Sequence, residues 1–455
     1  MSIFKKYSYW INSGKYTAIQ KFSVLGMGIV SFMLLTRILG KTGFGVWGLF
    51  LTISSITETA RTALIKNAFI RYMHQTPEAE HGRLQSAALV LSLSISTVLA
   101  VIFLAAAVPA AYWLKAPDLA AMLQWYSLTL LLTAFFSQWE MLLNAKMDFR
   151  GVCWMYCVRQ GLLLLAIAVY AVVGKSITPG LLSFYYMLSV LVGAAIGTRF
   201  AWRYTRWDFG GYRPWTGQLW RFGRYVFGNN VSSLLFRSTD NFITSHFFDP
   251  GVSGYYNACL RIGNLVDIPS QVFGDVLFPK AAKFSASDKS AVKHMYERTV
   301  GATLVFSFPA LLVLLLFPSL ILHILAGGKF LEAAPILRIT AFFGFTLPFM
   351  KQFGTIMDAT GHPDTNFRVM FMALCIDIVA NLVGVHFFGV IGAALGTATT
   401  YLIIFIVIQT ILGRKFGVRL LNVFRNTASL YRELFLHGVA VLKPKVNVGS
   451  AGKEG

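Results

Sequence analysis

Apolar runs of about 20 residues recur along the chain and are separated by short polar segments. A run of this length crosses the hydrocarbon core of a bilayer as a helix. The pattern therefore predicts an all-α, polytopic membrane protein with about 12 transmembrane helices. Their predicted ranges are 17–38, 43–70, 84–109, 119–144, 151–173, 180–201, 216–246, 252–278, 297–322, 332–357, 367–388 and 390–412.

Glycine, proline and charged positions of the first half recur 209 residues later without a gap. The aligned pairs are Gly45 with Gly254, Glu58 with Asp267, Arg71 with Lys280 and Pro109 with Pro318. The repeat also supports predicted helices two, seven and eight, which are the least hydrophobic and which hydropathy alone identifies least clearly. Two like halves of the same orientation indicate two lobes around a central path, a plan typical of transporters. We predict an N-terminal six-helix lobe at 1–208, a C-terminal six-helix lobe at 209–412 and a tail at 413–455.

Composition excludes an ordinary soluble domain. Apolar residues make up 56% of the chain and charged residues only 13%, and the mean hydropathy is +0.62. Soluble domains carry roughly 25% charged residues.

In the tail, the stretch from about Leu420 to Leu442 places apolar side chains on one helical face, which predicts an amphipathic helix lying in the membrane interface rather than another span.

The net charge of +21 is unevenly distributed between the predicted loops. The basic residues of one side are Lys5, Lys6, Lys15, Lys66, Arg71, Arg83, Lys146, Arg150, Arg199, Arg203, Arg206, Arg213, Lys280, Lys283, Lys289, Lys293, Arg298, Arg414, Lys415, Arg419, Arg425 and Arg432. The other side has only Lys41, Lys115, Lys175 and Lys329. This asymmetry predicts cytoplasmic N and C termini. We assign the basic excess to topology and to contact with anionic membrane lipids, and we expect no nucleic-acid partner.

Motifs for enzyme chemistry are absent from the sequence. It contains no GxxxxGK[ST] phosphate loop, no HExxH and no GxSxG, and the predicted loops are too short to house a catalytic domain. We therefore predict a protein that is not an enzyme, with no catalytic residues and no metal site. Transport would then be driven by an ion gradient, the membrane potential or the gradient of the substrate itself.

Ionisable side chains inside the predicted helices are the candidate functional residues, because such groups are costly at membrane depth. Arg61 and Arg261 belong to helices that the repeat places on opposite sides of the central path. Two guanidinium groups facing a cavity would suit a phosphate or pyrophosphate, which arginine binds through two parallel hydrogen bonds. An alternative is that Arg61 with Glu58, and Arg237 with Asp240, form local ion pairs at i, i+3 spacing that only ease insertion.

Two stretches resemble a known family. Residues 36–72, which begin TRILGKTGFGVWG, look like the first two helices of O-antigen and polysaccharide-unit flippases. Residues 254–282, GYYNACLRIGNLVDIPSQVFGDVLFPKAA, look like their eighth helix. These flippases belong to the multidrug/oligosaccharidyl-lipid/polysaccharide exporter superfamily, and the likeness covers roughly residues 15–412. Many of them have Asp-Leu-Gly where this chain reads Arg61-Thr62-Ala63, which leaves open whether helix two binds an anion or a cation.

The resemblance implies two pseudo-symmetric lobes around a V-shaped, cation-lined cavity. It implies a flippase of the bacterial inner membrane that moves an undecaprenyl-pyrophosphate-linked oligosaccharide for O-antigen, capsule or exopolysaccharide by alternating access. A polysaccharide polymerase and a chain-length regulator are the candidate protein partners beside membrane lipids.

The resemblance also suggests roles for individual residues. In related lipid II flippases, arginines on helices two and eight face the cavity, which places Arg61 and Arg261 at the cargo. We add Arg37 and Arg237 as further candidates to bind pyrophosphate or sugar. No cofactor is expected beyond a coupled H⁺ or Na⁺, taken up by a carboxylate that is neutralised in one state and charged in the other. The candidate coupling residues are Glu58, Asp240, Asp267 and Asp377.

Two other functions remain open. An ion-coupled multidrug or cation antiporter of the same superfamily would need an acidic or aromatic cavity, since a positive wall repels cationic ligands. A membrane glycan polymerase or ligase would need a long polar loop with catalytic groups, and the sequence shows none. The arginines inside the predicted helices favour anionic cargo over both alternatives.

Overall fold

The computed structural model describes residues 2–174, 176–281, 289–360 and 362–442, and these residues are helical apart from turns and connecting segments. Lys175, Lys283 and residues 443–455 of the predicted tail lie outside them. The α-helices are α1 Ser2–Ile38, α2 Gly40–Gln75, α3 His81–Trp113, α4 Asp118–Ala145, α5 Phe149–Val173, α6 Pro179–Ala201, α7 Arg213–Phe247, α8 Pro250–Leu265, α9 Ile268–Ala281, α10 Lys289–Leu316, α11 Pro318–Leu325, α12 Ala334–Gly344, α13 Leu347–Ala359, α14 Pro363–Phe416 and α15 Leu420–Leu442. Short 3-10 helices occupy Glu78–Glu80, Trp202–Tyr204 and Gly328–Ala333.

Seven of the described helices are long and apolar enough to cross a membrane, or eight if the bent pair α12–α13 is one span. α2, α7 and α8 are not among them, as expected for the least hydrophobic helices of the repeat. α14 combines predicted helices eleven and twelve, which meet at a break at Gly389 (φ 60°). Counting α14 as two helices and adding α2, α7 and α8–α9 gives the predicted twelve. The chain is an all-α polytopic membrane protein.

Three predicted helices are broken in the structure. The predicted span 252–278 is divided into α8 and α9, 297–322 into α10 and α11, and 332–357 into α12 and α13. Pro269, Pro318 and Pro348 each lie in the first turn of the second helix. Proline cannot donate a helical hydrogen bond and its ring crowds the preceding turn, so a new helix begins there.

The described residues form two compact units. One comprises residues of Met1–Ile262, Phe317–Thr340 and Phe367–Thr400, and the other comprises residues of Gly263–Leu316, Ala341–Asn366 and Tyr401–Gly455. The boundary between the two predicted lobes at 208/209 stays a prediction.

In the first unit, α3 packs against α4, α4 against α6, α1 against α5, and α2 against α7. The N-terminal ends of α2 and α8 approach backbone to backbone. A Cβ atom at Gly45 would lie 1.7 Å from the carbonyl oxygen of Pro250, and a Cβ at Gly254 would lie 2.2 Å from that of Lys41. The two glycines aligned by the sequence repeat therefore pack against each other, which only residues without a side chain permit.

The two halves of α14 fold back on each other in the same unit. A Cβ at Gly392 would lie 1.8 Å from the carbonyl oxygen of Gly384, and a Cβ at Gly396 would lie 2.6 Å from that of Ala380. The chain reverses at Gly389, whose φ is positive. This conformation is strained for residues with a Cβ, so the reversal requires glycine. This hairpin brings polar residues near 380 next to those near 397.

Replacing Gly392 with valine is expected to prevent this hairpin from closing. The clash is with backbone atoms, which cannot move aside cheaply, and overpacking of this kind costs about 3 kcal/mol or more. Detergent-solubilised Gly392→Val should give little monodisperse protein by size exclusion. Gly413→Ala in the same helix is the matched control, because its Cβ would meet its nearest atom at an ordinary 3.7 Å. Equal yields of both variants would contradict the packing.

In the second unit, α15 packs along α10. The buried Glu297 carboxylate accepts hydrogen bonds from the backbone N–H of Arg419 at 2.8 Å and from Asn422 Nδ2 at 3.1 Å. Tyr431 donates to the carbonyl of Val305 at 2.8 Å. The predicted tail helix thus forms, and its location in the membrane interface stays a prediction.

The segment between α6 and α7 is fastened to the start of α3. Arg83 Nε donates to Asp208 Oδ2 at 2.9 Å, and the backbone N–H of Gly210 donates to Asp208 Oδ1 at 2.9 Å. Both bonds stabilise the charged carboxylate, so the Gly210 N–H and the Arg83 guanidinium lower the pKa of Asp208.

Candidate functional site

Arg61 lies among α2, α3 and α4 and is only 3% exposed. Its Nη1 donates to Ser92 Oγ at 2.7 Å and to Ser137 Oγ at 2.8 Å. Its Nη2 donates to the carbonyl oxygen of Thr133 at 3.0 Å. Neutral oxygens therefore hold the guanidinium within the helix bundle. Contact between Arg61 and cargo stays a prediction.

Glu58 is paired with a residue on another helix. Its Oε1 lies 3.4 Å from Arg159 Nη2 and accepts a hydrogen bond from the Tyr186 hydroxyl at 2.8 Å. Arg159 also donates to the Tyr186 hydroxyl at 2.5 Å and lies over the Phe136 ring at 5.2 Å. Glu58 therefore faces α5 and α6, and the local pair with Arg61 considered above is not formed.

Arg261 is half-buried near the end of α8. Its guanidinium lies 5.7 Å from the centre of the Phe44 ring, and Phe44 packs edge-on against Phe330. Among the described residues, no hydrogen bond or ion pair engages the Arg261 side chain. The ring contact is favourable for a cation and leaves all five N–H donors free for a ligand.

Arg37 and Arg237 are both exposed. Arg37 Nη2 donates to the carbonyl oxygen of Ile324 at 3.4 Å. Arg237 has no ion pair within the described part of the chain, so the local pair with Asp240 is also not formed. Both arginines keep donors free for an anionic ligand, and their role in binding it stays a prediction.

Asp240 lies inside the first unit and is 2% exposed. Its Oδ2 accepts a hydrogen bond from the Tyr256 hydroxyl at 2.9 Å, and its Oδ1 accepts one from Thr397 Oγ1 at 2.5 Å. Two hydroxyl groups therefore satisfy this carboxylate, and no basic side chain among the described residues pairs with it.

Asp377 joins the same cluster through Asn381. Asn381 Nδ2 donates to Asp377 Oδ1 at 3.0 Å and to Thr397 Oγ1 at 3.1 Å. Asp377 and Asn381 are fully buried. Asp377 Oδ2 and Asn381 Oδ1 have no hydrogen-bond partner among the described residues. The α14 hairpin thus brings Asp377 into one cluster with Asp240, without a counter-charge among the described residues, and the unsatisfied oxygen atoms of the cluster are Asp377 Oδ2 and Asn381 Oδ1.

Asp267 belongs to the second unit, at the break between α8 and α9. It is 2% exposed, and its Oδ2 accepts a weak hydrogen bond from Gln271 at 3.3 Å. Asp267 Oδ1 has no partner among the described residues. Within the first unit, Glu58 pairs with Arg159 while Asp240 and Asp377 share a cluster, so these three predicted coupling carboxylates are not one site.

Sequence reasoning missed the partners of these charges. Arg159 is the only charged residue of predicted helix five, which was a usable signal for a functional or pairing role. Tyr186, Tyr256 and Thr397 gave no such signal, because hydroxyl side chains are common in membrane helices and only the fold shows which of them meet a carboxylate.

Comparisons with known proteins agree with this fold. The model of the family described as "Polysaccharide biosynthesis protein" matches residues 34–335. The Escherichia coli K12 lipopolysaccharide biosynthesis protein WzxC is 23% identical over 428 residues, covering 91% of this chain and 84% of WzxC. An uncharacterized membrane protein of Methanocaldococcus jannaschii, MJ1068, is 26% identical over 190 residues, covering 41% of this chain and 38% of that protein.

Solved structures share the architecture. Lipid II flippase MurJ in an inward closed conformation has a TM-score of 0.74 at 13% identity, covering 93% of this chain and 92% of MurJ. An inward-facing multidrug resistance MATE family transporter of the MOP superfamily has a TM-score of 0.69 at 13% identity, covering 86% and 94%. At such low identity the likeness shows the fold alone, which is that of MOP-superfamily transporters.

Proposed function

Because this chain belongs to the polysaccharide biosynthesis protein family, we propose that it is a flippase for a lipid-linked oligosaccharide. The cargo is an undecaprenyl-pyrophosphate-linked repeat unit of O-antigen, capsule or exopolysaccharide. The chain carries it from the inner to the outer leaflet of the bacterial inner membrane by alternating access, with both termini in the cytoplasm. The similarity to WzxC over most of both chains supports this proposal.

Arg261 is the observation that carries the proposal. A half-buried guanidinium without an ion pair is costly inside a membrane protein unless a ligand uses it. Its planar donors match the oxygens of a pyrophosphate, which can accept two parallel hydrogen bonds. Arg37 and Arg237 would add positive charge. Arg61 is a less direct candidate, because contact with cargo would require it to leave Ser92 and Ser137.

Ion coupling is best supported at Asp240 and Asp377. A buried carboxylate without a counter-charge is unfavourable, so it tends to take up a proton or a cation. Glu58 already has Arg159 as its partner, and Asp267 has a hydrogen bond from Gln271 but no second carboxylate bonded to it among the described residues. We propose that H⁺ or Na⁺ binds between Asp240, Asp377 and Asn381, and that its release accompanies the change of access.

The same acidic cluster favours one alternative, an ion-coupled antiporter for drugs or other cations. Such a transporter also needs a carboxylate that exchanges a cation for its substrate. Arg261 weighs against it, since an unpaired arginine repels cationic ligands.

Expression of this chain in a bacterial host that lacks its own polysaccharide flippase tests the function. Restored surface glycan, measured on whole cells with a glycan-specific lectin or antibody, is the expected result. Purified protein in liposomes should also expose a lipid-linked oligosaccharide to an external glycosidase. Protein that is present in the membrane, restores no glycan and extrudes cationic dyes would overturn the flippase in favour of the antiporter.

A further inference from the structure

A cavity of about 210 Å³ lies among α1, α5 and α6 in the first unit. Its lining residues are Val24, Tyr156, Arg159, Gln160, Leu163, Tyr186 and Ser189. The volume is below the roughly 300–1,000 Å³ typical of pockets for drug-sized ligands. It therefore suits a fragment of a larger molecule, such as one sugar ring.

The cavity lies on the side of α5 that packs against α1 and α6. Between the ends of α5, the exposed side chains are Trp154, Leu165, Val169 and Val172, which form a single stripe, and Arg150 and Val173 at the ends are exposed as well. At about 100° per residue, Tyr156, Arg159 and Leu163 lie on the opposite face of the helix. Tyr156 and Arg159 are half-buried, and Leu163 on α5 and Tyr186 and Ser189 on α6 are buried. Polar groups on this face can serve a ligand that enters through the protein.

The charges at the cavity are balanced. Arg159 and Glu58 form an ion pair with an N–O distance of 3.4 Å, bridged by the Tyr186 hydroxyl. A free anion would therefore gain little net attraction here, in contrast to Arg261.

Unused polar groups nevertheless remain at the cavity. Only Nη2 of Arg159 donates hydrogen bonds within the described residues, so Nε and Nη1 remain available. The Gln160 amide makes no hydrogen bond to a described residue either. Planar donors and acceptors beside two tyrosine rings suit a neutral ligand with many hydroxyl groups and an apolar ring face.

We propose that this cavity binds one neutral sugar residue of the lipid-linked cargo. The inference rests on the proposed flippase function and adds a second contact to it. Arg261 engages the pyrophosphate, while Arg159 and Gln160 engage hydroxyl groups of the sugar beside the Tyr156 and Tyr186 rings. Recognition of the glycan would then be separate from recognition of the lipid anchor.

Thiol labelling tests the cavity. Val24→Cys and Leu34→Cys are made singly in a background whose four native cysteines are replaced by serine. Leu34 is the matched control, because it also belongs to α1 but lines a different cavity with Arg37 and Tyr170. Each variant is first shown to restore surface glycan.

The purified protein is then labelled with a small water-soluble thiol reagent in the presence of one of two probes. One probe is the lipid-linked repeat unit extracted from that host, and the other is undecaprenyl pyrophosphate without sugar.

The repeat unit should slow labelling of Val24→Cys by about tenfold at ten times its Kd, and undecaprenyl pyrophosphate should not slow it. Labelling of Leu34→Cys, which lies beside the candidate pyrophosphate residue Arg37, should respond equally to the two probes. Three results would overturn the inference in a variant that restores glycan: equal protection of Val24→Cys by both probes, protection by neither, or no labelling of Val24→Cys at all. Failure to restore glycan with the unmodified chain would instead count against the proposed flippase function.

Discussion

Replacing Arg261 with alanine is expected to abolish surface glycan in the flippase-deleted host. The substitution removes the half-buried guanidinium that has no hydrogen-bond or ion-pair partner among the described residues. No other described side chain loses a hydrogen bond, so folding should be little affected. Loss of hydrogen bonds to a charged group weakens binding by roughly 10- to 100-fold. Surface glycan is measured by lectin binding, with membrane levels matched by immunoblot.

Two further substitutions separate charge from geometry. Arg261→Lys keeps the positive charge but loses the planar fork, so transport should be intermediate. Arg425→Ala removes an exposed arginine from α15 and should restore glycan normally. Normal glycan from Arg261→Ala at matched membrane levels would remove the pyrophosphate assignment.

Replacing Asp377 with asparagine is expected to abolish ion-driven transport without lowering thermal stability. Asparagine has nearly the same shape and can still accept the hydrogen bond from Asn381, but it carries no charge that a proton or cation could neutralise. Removing a buried charge without a counter-charge should leave Tm unchanged or raise it. Transport of lipid-linked oligosaccharide into liposomes is measured with a Na⁺ gradient, with a pH gradient and with neither.

The unmodified protein should respond to one of these gradients, and Asp377→Asn to neither. Asp118→Asn, at an exposed position in the first turn of α4, is the control and should retain the response. A variant that loses transport together with several degrees of Tm would show a structural role for Asp377. An unchanged response to the gradient would exclude the carboxylate from coupling.

The repeat and the hydrophobic pattern predicted the helical architecture, because the length of an apolar run and its periodicity are local properties of the sequence. Pro269, Pro318 and Pro348 lie inside three of the predicted spans, where proline either kinks a helix or ends it. The resulting short helices were nevertheless predicted as single spans, since sequence alone does not distinguish a kink from a complete break.

Pairing between charged groups could be predicted far less well. Spacing along one helix suggested Glu58 with Arg61 and Arg237 with Asp240. In the structure Glu58 meets Arg159, which is 101 positions away, and Asp240 meets Thr397, which is 157 positions away. Residues three positions apart on one helix can face different neighbouring helices, and tertiary packing decides which partner each side chain contacts. Asp240 and Asp377 were both candidates, but only the α14 hairpin shows that they share a cluster.

The contact of Gly45 with Gly254 has a consequence for how the two halves of this chain can diverge. Self-contact between equivalent positions is what a two-fold axis produces in a homodimer, and here two positions that the sequence repeat aligns meet in the same way. Both aligned positions therefore require a residue without a side chain. A bulkier residue at either position would clash with the backbone at the other, so the two segments cannot diverge at this point.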